Sequence, residues 1–287
     1  MLISKTVLLG LAAAAAAVPI AGYALSLPLR VRYERAGFAN LPAHLRGMKI
    51  LHISDFHARY TYKMHRDIWP VLLSIDFDMA ALTGDIILDD ISQLDPHLTG
   101  LRALAKKAPV FYVDGNHEDF CYDEVVRLFS DIGIITLANR RRNYAICSTN
   151  SGHRSNVVSV SGFRDYYYLA AQGFEDVVPL MDDMAVCGGF HIILTHQPQI
   201  FDWMRKGGAP FSALILAGHT HGGQVRLPFA PTLVAPGQGF LPRYGDGWYQ
   251  RDDEKIKMFI SRGVGETSFP LRLFNPPEVA VIELQRD

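Results

Sequence analysis

Cysteine is scarce in this chain of 287 residues: three occur, Cys121, Cys147 and Cys187. They are odd in number and form no Cys-x-x-Cys pair, which excludes a disulfide framework and a zinc ribbon. An excess of one charge is missing as well. With Lys+Arg at 28 and Asp+Glu at 29 the formal net charge is -1, so no broad nucleic-acid-binding surface is indicated. Internal repeats are absent, and the only low-complexity tract is the alanine run Ala12 to Ala17. One stretch, Thr6 to Leu29, lacks charge altogether.

What is present is a set of five short motifs: Asp55-x-His57, Gly84-Asp85, Gly115-Asn116-His117-Glu118, Thr195-His196 and Gly218-His219-Thr220-His221. They supply acidic oxygen and imidazole nitrogen and no thiolate, in the numbers that two adjacent divalent ions require. Such a pair, ~3.5 to 4 Å apart, is the usual device for hydrolysing phosphate esters, because it clamps the attacking and the leaving oxygen. Each motif follows an apolar, strand-like run: Met48 to Ser54, Phe77 to Thr83, Pro109 to Val113, Phe190 to Leu194 and Phe211 to Ala217. Short apolar runs alternating with helical patterns read as buried strands of an α/β architecture. In such sheets ligands collect beyond the carboxyl ends of the strands, so distant segments can meet at one place.

The five motifs resemble the pattern of the calcineurin-like metallophosphoesterase superfamily, with every metal-ligand position filled, over a stretch from Met48 to the C-terminus. The continuation Gly222-Gly223-Gln224, with Ser261-Arg262-Gly263-Val264-Gly265 and Pro276-Pro277-Glu278, is similar to the membrane-associated bacterial branch of YkuE- and YaeI-type phosphodiesterases. The resemblance implies one metal held by Asp55, His57 and His221, a second by Asn116, His196 and His219, and Asp85 bridging them. A carboxylate in the bridging position offsets the repulsion between two cations. Imidazole with carboxylate suits Mn, Fe, Zn, Ni or Co, so ligand type does not choose the metal. Asn116 adds a neutral oxygen, which keeps the site positive enough to attract phosphate. His117, directly after a ligand, is placed to face substrate, where it stabilises the transition state or protonates the leaving oxygen. His44, His52, His65, His97, His153 and His191 stand outside the motifs and are expected to hold no metal.

Helical patterns fall between the strands, over Tyr62 to Ser74, Ile91 to Lys107, Glu124 to Ile132, Phe174 to Met184 and Gln199 to Lys206. In the second of these Leu94, Leu98, Leu101 and Leu104 repeat at three- and four-residue steps, as on a helix packed against a sheet. Further strands are expected at Ile134 to Ala138, Tyr144 to Cys147, Val157 to Ser161, Lys257 to Ser261 and Val279 to Leu284. The fold expected is an α/β four-layer αββα sandwich, two packed mixed sheets flanked by helices, as the resemblance also implies.

Residues 1–47 read as an N-terminal anchor segment and linker, and residues 48–287 as one catalytic domain. The 24 uncharged residues from 6 to 29 would span a ~30 Å hydrocarbon core at ~1.5 Å per residue. A single-pass anchor in a bacterial inner membrane is expected; the small residues from Ala15 to Ala24 also suit a cleaved signal. Arg30, Arg32, Arg35, Arg46 and Lys49 follow the segment, which by the positive-inside rule places the domain in the cytoplasm, whereas the resemblance implies export. Those arginines read either as a solvated linker or as contacts to anionic headgroups. Arg164 and Tyr166, in Arg164-Asp165-Tyr166-Tyr167-Tyr168, and Arg243 and Arg262 are candidate substrate contacts. The loop Pro228 to Gln250 adds Phe229, Phe240, Leu241, Tyr244 and Trp248. With the anchor, these favour an amphiphilic phosphoester. The reaction expected is diester or pyrophosphate hydrolysis by a hydroxide bridging two divalent ions. Alternatives are a UDP-2,3-diacylglucosamine-type hydrolase of lipid A synthesis and a catalytically silent tethered scaffold. No ligand position is lost, which argues against the scaffold.

Overall fold

The apolar runs are strands, and the two-residue alternation of their side chains sorts the core into layers. A computed structural model describes residues 20–58, 68–147, 155–165, 169, 177–206, 210–226, 232–251, 255–266 and 271–287. In chain order the strands are β1 (Arg30–Gly37), β2 (Lys49–Ile53), β3 (Met79–Thr83), β4 (Val110–Val113), β5 (Ile135–Thr136), β6 (Arg140–Cys147) and β7 (Ser155–Gly162). They continue with β8 (Phe190–Leu194), β9 (Ser212–Ala217), β10 (Val234–Ala235), β11 (Gly239–Phe240), β12 (Gly247–Gln250), β13 (Ile256–Ile260) and β14 (Glu278–Gln285). The helices between and after these strands are α1 (Ile68–Ser74), α2 (Leu98–Lys107), α3 (Tyr122–Asp131), α4 (Val178–Cys187) and α5 (Ile200–Lys206), and residues 20–25 ahead of β1 are also helical.

One six-stranded sheet runs β1-β14-β2-β3-β4-β5 and the other β12-β13-β9-β8-β7-β6, with β10 and β11 forming a separate hairpin. Both are mixed: β2 to β5 are mutually parallel while β14 runs antiparallel to β2, and β6 and β12 run antiparallel to the parallel set β7, β8, β9 and β13. Ile50, Met79, Ala81, Phe111 and Val113 of the first sheet meet Val160, Ile192, Leu194, Leu214, Leu216 and Phe259 of the second. The alternate residues Leu51, Ile53, Ala80, Leu82, Val110 and Tyr112 face outward onto Leu72, Leu101, Leu104, Val125 and Phe129 of α1 to α3. On the far side, Ile193, Ala213, Ile215 and Met258 pack on Leu180 and Met184 of α4 and Ile200, Phe201 and Met204 of α5. That is the four-layer αββα arrangement.

Two local expectations change. Residues 30–37 form no solvated linker: they are strand β1, registered parallel to β14 from Arg30 opposite Glu278 to Gly37 opposite Gln285. The arginines obscured the strand because an edge strand tolerates charge on its open side. Arg32 lies near Glu34 and Glu278 and over the Phe259 ring, while Ala36 is buried. The helix expected over Ile91 to Lys107 is broken into a 3₁₀ segment, Ile91–His97, and α2. Pro96 has no N–H for the helical ladder, and Asp90 caps the first piece by accepting from the Ser92 N–H at 2.8 Å. The start of the expected 62–74 helix and residues 174–176 lie outside the described residues.

Deleting residues 1–37 removes a strand that covers β14 over eight residues. A loss of ~3 kcal/mol there lowers the melting temperature by roughly 6–12 °C. Deleting residues 1–19 leaves every described contact in place. Thermal unfolding of the two truncations checks this, and equal melting temperatures would deny β1 a structural role.

Candidate metal centre

Strand ends from both sheets bring the motifs together. Asp55 and His57 follow β2, Asp85 follows β3, Asn116 and His117 follow β4, His196 follows β8, and His219 and His221 follow β9. The chain turns sharply at most of these points. Among the described residues nine non-glycines have positive φ, and five of them are Asp55 (φ 49), His57 (φ 43), Asp85 (φ 51), His219 (φ 70) and His221 (φ 49). Asp, Asn and His tolerate this left-handed region better than other side chains, yet it still costs on the order of 1 kcal/mol each. Gly84 (φ +79) is needed for a further reason: a Cβ there would sit 2.7 Å from His196 Nδ1 and 2.6 Å from the Gly115 nitrogen.

The donor atoms converge in two groups that share Asp85. Asp55, His57, Asp85 and His221 each offer an atom within 4.8 Å of the others, and so do Asp85, His196 and His219. In the first group His221 Nε2 is 3.3 Å from Asp55 Oδ1, and His57 Nε2 is 3.2 Å from His221 Nε2 and 3.7 Å from Asp85 Oδ2. In the second, His196 Nε2 is 3.2 Å from Asp85 Oδ2 and 3.1 Å from His219 Nδ1. Burial drives His57 and His219 down to about 3 and holds His221 well below its ordinary value, which leaves these imidazoles neutral, the form that donates to a metal. Burial opposes ionisation of Asp85, but the charge and hydrogen bond of His196 outweigh it and hold the carboxyl well below its usual range.

The residues fit divalent ions on two observations. Asn116 Oδ1 is buried with no hydrogen-bond partner, an acceptor that a cation would satisfy. The neutral imidazoles of His57 and His221 meet within 3.2 Å at Nε2, each also within 4 Å of a buried carboxylate, which is the mixed nitrogen and oxygen donor set that a divalent ion takes. Ring orientations are set from behind: the Nδ1–H of His196 donates to Thr83 O at 2.8 Å and that of His117 to Leu88 O at 2.6 Å, turning each Nε2 toward the site. His117 Nε2 lies 4.0 Å from Asp85 Oδ2 and lines the same cavity, with its side chain 28% exposed.

Glu118 closes the Gly-Asn-His-Glu motif, and its task emerges only from the fold. It is fully buried and accepts four backbone N–H groups: Asp85 (2.9 Å) and Gly115 (2.7 Å) on Oε2, Ile86 (2.6 Å) and Ile87 (3.1 Å) on Oε1. Burial, then the Asp85 charge, push its carboxyl up to about 8. Both oxygens are filled by donors, however, and a carboxylic proton would find no acceptor, so the geometry is that of a carboxylate. The side chain ties the Asp85 loop to the Asn116 loop. Two other residues carry no sequence signal. Buried Arg272 donates to the carbonyl oxygens of Arg262, Gly263 and Gly265, while Asn275 Nδ2 donates to His221 O at 2.6 Å.

Of the expected substrate contacts, Arg164, Arg243 and Arg262 are not among the described residues that line the cavity, and each pairs with a carboxylate. Arg164 Nε is 3.1 Å from Asp114 Oδ2 and its guanidinium stacks over Tyr122, Arg262 Nε is 2.8 Å from Asp246 Oδ2, and Arg243 pairs with Asp202 at the surface. Tyr166 and Phe229 lie outside the described residues. Of the loop aromatics, Phe240 lines the cavity, Tyr244 is buried and bonded to Asp202, and Trp248 donates to Glu34. The histidines outside the motifs bond elsewhere: His44 to Val157 O, His52 to Thr83, His97 to Trp69 and Ala58 O, and His191 to Ser159 and Gly188 O. His65 and His153 are not described.

Replacing Glu118 by Gln keeps the volume but sets an amide nitrogen against backbone donors. We expect a loss of roughly 2–3 kcal/mol of stability and a 10- to 100-fold weaker affinity for manganese. Denaturant unfolding and calorimetric titration measure both, and unchanged values would remove Glu118 from the site.

Comparison with known proteins agrees with this geometry. The family model described as calcineurin-like phosphoesterase matches residues 48–223. The chain is 29% identical over 252 residues to the metallophosphoesterase YkuE of Bacillus subtilis, covering 85% of this chain and 82% of that protein. It is 29% identical over 247 residues to YkoQ of the same organism, covering 83% and 84%. Against phosphodiesterase YaeI of Escherichia coli it is 28% identical over 243 residues, covering 82% of each. With all five motifs gathered around Asp85 and the family model spanning more than half its length, the chain belongs to the calcineurin-like phosphoesterase family, whose members use a dinuclear divalent metal centre.

Proposed function

We propose that this protein is a dinuclear metal-dependent phosphodiesterase. The observation that carries the reading is the sharing of one buried carboxylate, Asp85, between two complete donor groups. Asp55, His57 and His221 with Asp85 would hold one divalent ion, and Asn116, His196 and His219 with Asp85 the other. Two such ions supply Lewis-acid polarisation of the phosphoryl oxygens and a water acidic enough to ionise near neutral pH. The protein's own part is orientation and proton handling. With Nδ1–H given to Leu88 O, His117 exchanges its proton at Nε2, on the cavity side, where a leaving oxygen needs one. The backbone N–H of His117 donates to Asp85 Oδ1 at 3.0 Å, which binds this residue's position to that of the bridge.

We also infer that residues 6–29 tether the domain, residues 48–287, to a bacterial inner membrane, beside an amphiphilic substrate. What supports this is the lack of charge over 6–29 and the exposure of Ile20, Tyr23 and Leu25 on the helical residues 20–25. Among the described residues no helix is long and apolar enough to cross a membrane, and residues 6–19 lie outside them.

Two variants test the reading. Asp85→Asn should bind one ion or none and lose most turnover, measured by elemental analysis and by hydrolysis of a small diester. Two ions retained with normal turnover would refute the shared-carboxylate arrangement. His117→Ala should keep both ions and lose ~10² to 10⁴ in turnover on esters with poor leaving groups. The loss should shrink for p-nitrophenyl esters, whose leaving group needs little protonation. An equal loss on both would make His117 a charge stabiliser and not an acid.

A further inference from the structure

We propose that the cavity beside Asp85 contains, next to the phosphoryl position, a subsite for the aliphatic chain of an amphiphilic phosphodiester. The inference rests on the dinuclear reading and adds the substrate class. The cavity has a volume of about 660 Å³, within the range of pockets that bury drug-sized ligands. A phosphoryl group held at the metal donors fills only one part of it. Apart from Gly223 and Gln224, the remainder of the lining is Val225, Leu233, Val234, Ala235, Pro236 and Phe240.

That composition selects among the groups a phosphodiester can carry. No lysine or arginine occurs among the described lining residues, so a second phosphate or a polyphosphate meets no countercharge. The nearest candidates are committed: Arg226 and Arg262 both pair with Asp246. A nucleobase would want aromatic faces and paired polar groups, and the described wall offers one aromatic ring and a run of aliphatic side chains. An aliphatic chain asks only for apolar contact, about fourfold in affinity for each fully buried methylene.

The wall is built in place and is not a loose loop. Val234 pairs with Phe240 and Ala235 with Gly239, and the Leu241 N–H donates to Leu233 O at 2.7 Å. Gln238 and Tyr244 exchange two hydrogen bonds, of 2.9 and 3.0 Å. Thr220, inside the Gly-His-Thr-His motif, donates its hydroxyl to Gly245 O at 2.6 Å, so the segment that follows the hairpin is bolted to the metal donors. Despite this anchoring the tip stays apolar in solvent, with Val234 52%, Phe240 73% and Leu241 59% exposed. Folding gains little from those side chains where they stand. The sequence from residue 227 to 236, LPFAPTLVAP, has no charge.

A second feature points to the same side. The end of the uncharged 6–29 stretch attaches at the site: the Phe274 N–H donates to Gly22 O at 3.0 Å, and the Asn275 N–H to Ser26 Oγ at 2.9 Å. Asn275 in turn holds the carbonyl of His221. An apolar segment that enters a lipid layer therefore leaves the protein one residue away from a metal donor, and a lipid-borne chain would approach from that side.

The test uses the full chain in detergent, loaded with manganese, and calorimetric binding of methyl-, butyl- and hexylphosphonate to wild type, Val234→Ser and Phe240→Ser. Both positions are exposed, so the variants should fold, and partition of the ligands into detergent is common to all three proteins. With each methylene half buried, affinity should rise about thirtyfold from methyl to hexyl in the wild type. In each variant that rise should fall to about threefold or less. Equal affinity for the three ligands, no binding of any, or the same rise in both variants would overturn the subsite. Hydrolysis of methyl p-nitrophenyl phosphate by the same wild-type preparation reads the dinuclear assignment separately. Its absence with the affinity rise intact would remove catalysis and keep the subsite, whereas turnover with a flat series would remove the subsite alone.

Discussion

Two groups of donor atoms share one buried carboxylate, Asp85, and much of this fold can be read as the means of placing it between them. The donors come from five strand ends in two different sheets, so the sheets must pack face to face with their carboxyl ends in register. The alternation that sends Ile50, Ala81 and Val113 into the inter-sheet core and their neighbours onto the helices is what holds that register. A slip by one residue would turn every donor loop away from the centre. The four-layer core is therefore the frame of the site as well as the main source of stability.

Within the frame the chain accepts local costs. Five donor residues adopt left-handed backbone, Gly84 and Gly263 sit where no side chain fits, and charged or polar groups are buried where an apolar side chain would be cheaper. Glu118, Arg272 and Asn275 keep those loops from relaxing, each by filling backbone donors or acceptors that the sharp turns leave unpaired. Strain concentrated on donor residues and held by buried polar clamps is what a pre-organised ion site needs: donor atoms already converge, and little reorganisation is left for binding.

The sequence made part of this legible. Apolar runs bounded by Gly, Asp, Asn and His announced β2, β3, β4, β8 and β9, because a strand buried on both faces needs no polar residues, whereas its loop end carries the chemistry. The hidden parts depend on long-range partners. β1 looked like a basic linker because its partner β14 lies some 250 residues away in the chain, and Glu278 and the Phe259 ring that receive Arg32 are distant as well. Pro96 lay inside a convincing leucine pattern, and periodicity gave way to a missing N–H. Arg164, Arg243 and Arg262 were attractive as phosphate contacts, but each has a carboxylate partner brought up by the fold, which no local pattern reveals. Glu118 stood in plain view within a motif, yet its task is to accept backbone N–H groups, and composition is silent on that.

Crystals of the full chain grown with manganese and examined by anomalous scattering at the manganese edge test the central claim most directly. The account predicts two peaks ~3.5 to 4 Å apart on either side of the Asp85 carboxylate, one reached by Asp55, His57 and His221 and the other by Asn116, His196 and His219. A single peak, or two peaks that do not share Asp85, would contradict it.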